Sequence, residues 1–277
     1  MTSLLFLIIG ICSVAGRPNT NKTNDERIIE GELATAGQFP YVVSITDENN
    51  RHFCGGFIYN DRWIVTTASC TEGKTIFTMK VVVGQVNAMA LDPNEQIFDV
   101  YSIVSFPEYN STNKMNDIAL LKLTKNIQFD YVNVDFIAYN QLDIINRTGL
   151  VMGWGATFEG GYESVHLHYA AGFILLTNFS SGCGSYSNSD EYDFNTMMCC
   201  GVSLVAVPPG SPCMYDEGSP FVQELVDPAN SSLVIPTAVG IFSKTPSCAL
   251  SSRSVYTRLS VYYYWLINTA GQQPTRP

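Results

Sequence analysis

Short apolar runs separated by turn-forming residues extend along most of the chain. Val, Ile and aromatic residues concentrate in these runs, and clusters of Gly, Pro, Asn and Asp lie between them. Recurrent short strands of this kind are typical of a β-sandwich or a β-barrel, so the pattern predicts an all-β fold. The clearest predicted strands cover residues 41–45, 63–66, 79–83, 118–123 and 238–242. One helix is predicted near the C-terminus, over residues 262–268.

The first residues have the pattern of a targeting segment. An apolar run over residues 3–11 is followed by small residues at Ser13, Ala15 and Gly16. This pattern predicts a secretory signal peptide over residues 1–16, although no Lys or Arg precedes the run. The run is shorter than the roughly 20 apolar residues that a membrane-spanning helix needs. Residues 17–27 are polar and are interpreted as a pro-segment, which leaves residues 28–277 as a single folded domain.

The charged residues of the chain limit the kinds of partner that it is expected to bind. The 277 residues include 25 acidic and 15 basic side chains, which give a formal net charge of −10. An acidic surface repels phosphate backbones and anionic lipid head groups, so we expect neither nucleic acid nor a membrane surface as a partner. The charge is adequately explained as a contribution to solubility.

Sequons and cysteines agree with export to an oxidising, extracellular compartment. Seven cysteines remain after the signal peptide, so an odd one is expected once the others pair. The sequence has no metal-binding spacing of Cys or His, and no cofactor is expected. One glycosylation triplet lies in the pro-segment at Asn21, and the predicted sites of the folded domain are Asn110, Asn146, Asn178 and Asn230.

A series of motifs in a fixed order carries more information than the periodicity. They lie at residues 27–31, 37–44, 52–56, 63–70, 116–121, 153–155, 198–199, 213–220 and 255–258. Between residue 27 and about residue 268 the chain therefore resembles the trypsin/chymotrypsin family. The resemblance implies two six-stranded antiparallel β-barrels with a C-terminal helix, and an active site in the cleft between the barrels.

Two of the three catalytic positions that the resemblance implies carry the wrong residue. Ser69 stands where the family has its histidine, and Glu217 stands where it has its serine nucleophile, whereas Asp117 matches the aspartate. A serine nucleophile needs a neighbouring base to take its proton, and Ser69 cannot serve as that base. We therefore expect no catalytic residues and no peptide cleavage. None of the histidines His52, His166 and His168 is expected to act as a substitute base.

The substrate cleft is expected to be altered as well. Tyr215 replaces a glycine of the family's oxyanion hole, and Ser211 falls at the specificity aspartate of trypsin. The family's substrate-pairing segment reads Ser-Lys-Thr over residues 243–245. Side chains in place of wall glycines should narrow the pocket. The altered cleft positions are Tyr215, Ser211, Lys244, Thr245 and Ser254.

Structural features of the family are retained. The resemblance implies disulfides Cys54–Cys70, Cys183–Cys199 and Cys213–Cys248, with Cys200 left over. It also implies activation by cleavage after Arg27, followed by pairing of the new amine of Ile28 with the carboxylate of Asp216.

Three hypotheses for function remain. The pattern is that of a serine protease homologue or pseudoprotease, and it is similar to the inactivated serine protease paralogues of parasitic mites. That similarity implies a secreted binding or decoy protein that inhibits host defence proteins such as complement. The alternative is an enzyme with unusual residual hydrolase activity, which would use Glu217 and Asp117 as paired carboxylates. A cofactor of clip-type proteases is a third hypothesis, disfavoured because no cysteine-rich segment precedes Arg27.

Overall fold

The computed structural model describes most of the predicted domain. The described residues are 31–90, 92–139, 148–175, 182–186, 188, 190–202, 210–227 and 230–276. The predicted signal peptide and pro-segment, Arg27, Ile28, Asn146 and Asn178 lie outside them. Asn110 is exposed on a turn, which suits its prediction as a glycosylation site.

The N-terminal half forms a closed barrel of six antiparallel strands. Its strands are β2 (Val42–Thr46), β3 (His52–Ile58), β4 (Trp63–Thr66), β5 (Lys80–Val83), β6 (Gln96–Ser105) and β7 (Ala119–Leu123). Closure follows the order β2, β3, β4, β7, β6 and β5, which returns to β2. Every residue of β2 is buried, because a small closed barrel fills its interior with side chains and packs its outer face on the rest of the chain.

The C-terminal half forms a second barrel. Its strands are β9 (Thr148–Gly153), β10 (His168–Leu175), β11 (Met197–Val202), β12 (Pro220–Asp227), β13 (Asn230–Lys244) and β14 (Ser254–Arg258). These six pair in the order β9, β10, β11, β14, β13 and β12, and β12 pairs back with β9. Two short strands, β1 (Glu32–Leu33) and β8 (Ala138–Tyr139), add to β10 and β13. The prediction of two six-stranded antiparallel barrels is confirmed.

The predicted C-terminal helix is also present. A 3-10 turn over Leu259–Tyr262 leads into α2 (Tyr263–Ala270), and a one-turn helix, α1 (Ala68–Thr71), follows β4. Gly271 ends α2 with a φ of 81°, a conformation that glycine adopts without strain. Among the described residues, no helix has the length and apolar character to span a membrane.

The two barrels share a core, and this contact positions the cleft. Phe57 and Tyr59 of the first barrel lie in one buried cluster with Trp154 and Val222 of the second, and Leu266 of α2 joins them. Burial of large aromatic side chains on both sides holds the barrels in register. The three predicted disulfides, Cys54–Cys70, Cys183–Cys199 and Cys213–Cys248, are all present, and Cys200 is free and buried as expected.

Candidate active-site cleft

Ser69 and Asp117 meet as the family pattern implies. The backbone N–H of Ser69 donates to Oδ1 of Asp117 at 2.7 Å, and its hydroxyl donates to Oδ2 at 2.9 Å. Ser243 of the second barrel donates its hydroxyl to the same Oδ2 at 2.6 Å. Burial raises the pKa of Asp117, and the hydrogen bonds from Ser243 and Ser69 oppose that rise. The carboxylate is therefore enclosed by donors, and a hydroxyl occupies the place of a base.

Glu217 turns back onto its own loop. Its Oε2 accepts a hydrogen bond from the backbone N–H of Tyr215 at 2.8 Å. Burial raises the pKa of this carboxyl group, and the Glu217 N–H, the Lys114 charge and the Tyr215 N–H oppose that rise. In active members of the family, the N–H groups at the two corresponding positions face the developing oxyanion of a substrate. In this chain the Tyr215 N–H is occupied by the Glu217 carboxyl group.

Tyr215 keeps the donor geometry of the glycine it replaces. Its φ is 74°, in the left-handed region that a side chain disfavours. The N–H nevertheless faces the carboxylate of Glu217. The donor is therefore occupied by the chain's own glutamate.

None of the three histidines is placed as a substitute base. His52 is buried, with Nε2 donating to the Tyr215 carbonyl oxygen at 2.9 Å and Nδ1 paired with the Ser44 hydroxyl at 2.8 Å. Burial lowers its pKa to about 4, so it is neutral at pH 7. His168 is buried within β10, and His166 forms an isolated bridge with Asn87. No group of three potential metal ligands occurs in the described part of the chain.

Asp216 is fully enclosed behind the cleft. The backbone N–H of Gly155 donates to Oδ1 at 2.8 Å, and that of Cys213 donates to Oδ2 at 3.0 Å. A side chain at Gly155 would collide with the carboxylate, which explains the glycine. Burial raises the pKa of Asp216 to about 7, more than the two N–H groups lower it.

The region of the specificity pocket is nearly filled. Ser211, Pro212, Cys200 and Ser254 help to line a cavity of only about 10 Å³. That volume is about the minimum that one water needs. Thr245, the other altered wall position, donates its hydroxyl to the Ser247 carbonyl oxygen at 2.7 Å. This cavity is too small for a large substrate side chain.

Two lysines, Lys114 and Lys244, link the two barrels beside the altered cleft positions. The sequence predicted Lys244 in the cleft, but it did not identify Lys114 as a cleft residue. Lys114 Nζ donates to the Ser243 carbonyl oxygen at 3.1 Å, and Lys244 Nζ donates to the Asn113 carbonyl oxygen at 2.7 Å. The only available sequence signal was that Lys114 lies three residues before Asp117. Nothing in the sequence indicates that its ammonium crosses to the other barrel.

Two antiparallel six-stranded barrels, with Ser69, Asp117 and Glu217 brought together between them, define a chymotrypsin-like serine protease fold. The family model described as Trypsin matches residues 28–266. The chain is 34% identical over 246 residues to coagulation factor IX of Oryctolagus cuniculus, covering 86% of this chain and 83% of that protein. It is 29% identical over 267 residues to a trypsin of Phaedon cochleariae, covering 95% and 96%. The chain belongs to the trypsin family.

Proposed function

We propose that this chain is a secreted member of the trypsin family that does not cleave peptides and acts by binding an extracellular protein. One observation carries the proposal. The carboxylate of Glu217 accepts the hydrogen bond of the Tyr215 N–H, which a substrate oxyanion would need. The Glu217 carboxyl group fills the place of that oxyanion, so the negative charge that develops during acyl transfer is not stabilised there.

The missing base supports the same conclusion. Ser69 donates its hydroxyl to Asp117, so this position holds a hydrogen-bond donor with no capacity to accept a proton at neutral pH. Loss of a single triad member lowers turnover by about 10⁴- to 10⁶-fold in a related mechanism. Here both the base and the nucleophile are replaced.

The paired-carboxylate alternative is less well supported. Carboxylates that catalyse hydrolysis flank the bond to be broken and contact the substrate. Asp117 instead accepts three hydrogen bonds from Ser69 and Ser243 and is fully buried. Glu217 is tied to the Tyr215 N–H. Neither arrangement leaves a pair of free carboxylates facing a common substrate.

Exposed aromatic side chains beside the cleft suit a protein-binding role. Phe158 and Tyr162 are 61% and 78% exposed. Their loop is anchored to the cleft, because the Glu159 carboxylate accepts the Cys248 N–H at 2.6 Å. Aromatic residues are enriched at protein interfaces. We propose host complement components as the partner class, since the similarity to mite protease paralogues points to them.

Inactivity is tested with chain cleaved after Arg27. We expect no turnover of a broad peptide library and no covalent labelling by a serine-directed fluorophosphonate, with active trypsin as the positive control. Labelling that disappears in a Ser69→Ala variant, or turnover abolished by Asp117→Asn, would contradict the proposal.

Binding is tested by capture from host plasma with the glycosylated protein. We expect complement proteins to be retained, and Phe158→Ser with Tyr162→Ser to reduce capture. Phe77→Ser is the matched control, since Phe77 is 86% exposed on a different loop. Equal capture by wild type and by the heat-unfolded chain would show that retention is non-specific.

A further inference from the structure

The lysine pair, Lys114 and Lys244, is a reciprocal contact across the cleft. Each ammonium reaches the carbonyl oxygen of the residue that precedes the other lysine, Ser243 for Lys114 and Asn113 for Lys244. Lys114 belongs to the loop before β7 and Lys244 ends β13, so the two contacts join the two barrels. The two ammonium groups therefore lie at the same junction between the barrels, near enough for the charge of Lys114 to act on Lys244.

Both side chains are held by several contacts. Lys244 Nζ also donates to the Glu191 carbonyl oxygen at 2.7 Å and lies 4.7 Å from the ring centroid of Tyr186. Lys114 has a φ of 58°, a left-handed backbone that is uncommon outside glycine and tends to occur at functional sites. Fixed side chains lose less conformational entropy when a ligand binds than mobile surface lysines do.

Neither lysine forms a salt bridge with a described acidic residue, although the charge of Lys114 acts on the carboxyl groups of Asp117 and Glu217. Glu191 accepts a hydrogen bond from Lys244 through its backbone carbonyl oxygen. Its carboxylate oxygen Oε2 instead accepts a hydrogen bond from Asn188 Nδ2 at 2.9 Å. Burial lowers the pKa of Lys244 to about 8 and the charge of Lys114 lowers it further, while the charges of Glu191 and Asp117 oppose the shift.

The lysine pair also competes with the family's mode of ligand binding. In that family the backbone of residues 243–245 pairs with an extended peptide. Here the Ser243 carbonyl oxygen is already bonded to Lys114. One lone pair of this carbonyl oxygen is therefore taken, and the cleft edge has gained ammonium donors, which favour an anionic group.

We propose that the lysine pair is a binding subsite for a carboxylate side chain of a protein partner. This inference rests on the proposed function, because it supplies a contact for the protein that the cleft no longer cuts. Each ammonium has three N–H donors, and the contacts to Ser243, Asn113 and Glu191 use only three of the six. A carboxylate can accept from both lysines at once and would neutralise their mutual repulsion.

The probes are two acetylated and amidated tripeptides, Glu-Asp-Glu and Gln-Asn-Gln, titrated into the full secreted chain by calorimetry at pH 7. We expect the acidic peptide to bind at least ~10-fold more tightly, with an affinity that falls as salt rises. Lys114→Gln and Lys244→Gln should each weaken its binding about tenfold. Lys125→Gln is the matched control, because it removes the same charge from an exposed lysine of the first barrel.

Equal affinity for both tripeptides, undetectable binding of the acidic one, or an equal loss in Lys125→Gln would overturn the inference. The comparison of peptides and of salt concentrations uses the wild-type chain, so it holds even where a variant folds poorly. Hydrolysis of a peptide in these samples would contradict the proposed function instead. Partner capture from plasma that is unaffected by both lysine variants would contradict only the subsite.

Discussion

Asp216 and Glu217 are adjacent in sequence but represent two different regions of the molecule. Asp216 is buried behind the cleft, where the backbone N–H groups of Gly155 and Cys213 donate to it. Glu217 faces the cleft, where it has replaced a serine and bonds the Tyr215 N–H. A change at Asp216 would leave buried donors unpaired and destabilise the fold. A change at the cleft surface removes chemistry at little cost in stability, so the two regions can diverge independently.

The largest expected effect is on the kcat/KM of a variant in which the triad side chains are restored. Ser69→His with Glu217→Ser restores the triad side chains and frees the Tyr215 N–H. We expect kcat/KM to remain at least ~10³-fold below that of trypsin, because misplaced substrate loses the benefit of orientation. The Ser211 cavity stays closed, and Lys114 still occupies the Ser243 carbonyl oxygen. Hydrolysis of peptide substrates by the purified variant is the measurement.

A further variant shows which barrier matters. Adding Lys114→Ala to the double variant removes the ammonium from the Ser243 carbonyl oxygen. An increase in kcat/KM would locate part of the block at the lysine pair, and no increase would locate it in the closed pocket. Efficient hydrolysis by the double variant alone would show that the cleft is open to substrate.

The next largest effect is on stability and concerns Asp216, in the region behind the cleft. If cleavage after Arg27 frees the amine of Ile28 to pair with Asp216, a buried carboxylate gains a counter-ion. We expect cut protein to be more stable than an Arg27→Gln form by ~3 kcal/mol, which raises its Tm by about 5–10 °C. Asp216→Asn should remove the difference. Equal Tm values for cut and uncut protein, measured by calorimetry, would mean that the retained motif has no structural use.

The pKa of Asp216 predicts a pH dependence for the uncut chain. Its folded value of about 7 lies above the ordinary value near 4, so between those pH values the folded state binds more protons than the unfolded state. The contribution of Asp216 therefore falls as pH rises from 4 to 7, by up to about 4 kcal/mol, and is level above 7. Asp117 and Glu217, whose pKa values are also raised, add to the same trend.

Urea denaturation across this pH range checks the sign. Asp216→Asn should flatten the curve most, and cleavage after Arg27 should flatten it in the wild type, because a nearby amine favours the ionised carboxylate. A stability that rises between pH 4 and 7 in the uncut chain would contradict the assignment.

The two regions also differed in how far sequence could predict them. The barrels, the disulfides and the identity of Ser69, Asp117 and Glu217 followed from motifs, because those features depend on residue type at a fixed place in the chain. The contact between Glu217 and Tyr215 and the crossed contacts of the lysine pair did not. They depend on side-chain direction and on distances across the cleft, and neither leaves a periodic signal. Sequence reasoning likewise gave no sign that His168 is buried.

The smallest expected effect isolates backbone strain at Tyr215. Its φ of 74° favours glycine, but its ring also packs near Cys213 and Cys248, so Tyr215→Gly alone mixes two effects. The comparison of Gly with Ala at the same position separates them, since both remove the ring and only glycine relieves the backbone. We expect Tyr215→Gly to be about 1 kcal/mol more stable than Tyr215→Ala.

Tyr131, with a φ of 60°, should show the same order of stability, Gly above Ala, outside the cleft. At Tyr162, which has no left-handed φ, the order should reverse by about 0.5–1 kcal/mol because glycine is more flexible when unfolded. Urea denaturation of the six variants decides the matter. Alanine more stable than glycine at Tyr215 would mean that the loop relaxes once the ring is gone, and that the orientation of the oxyanion donor depends on the tyrosine side chain itself.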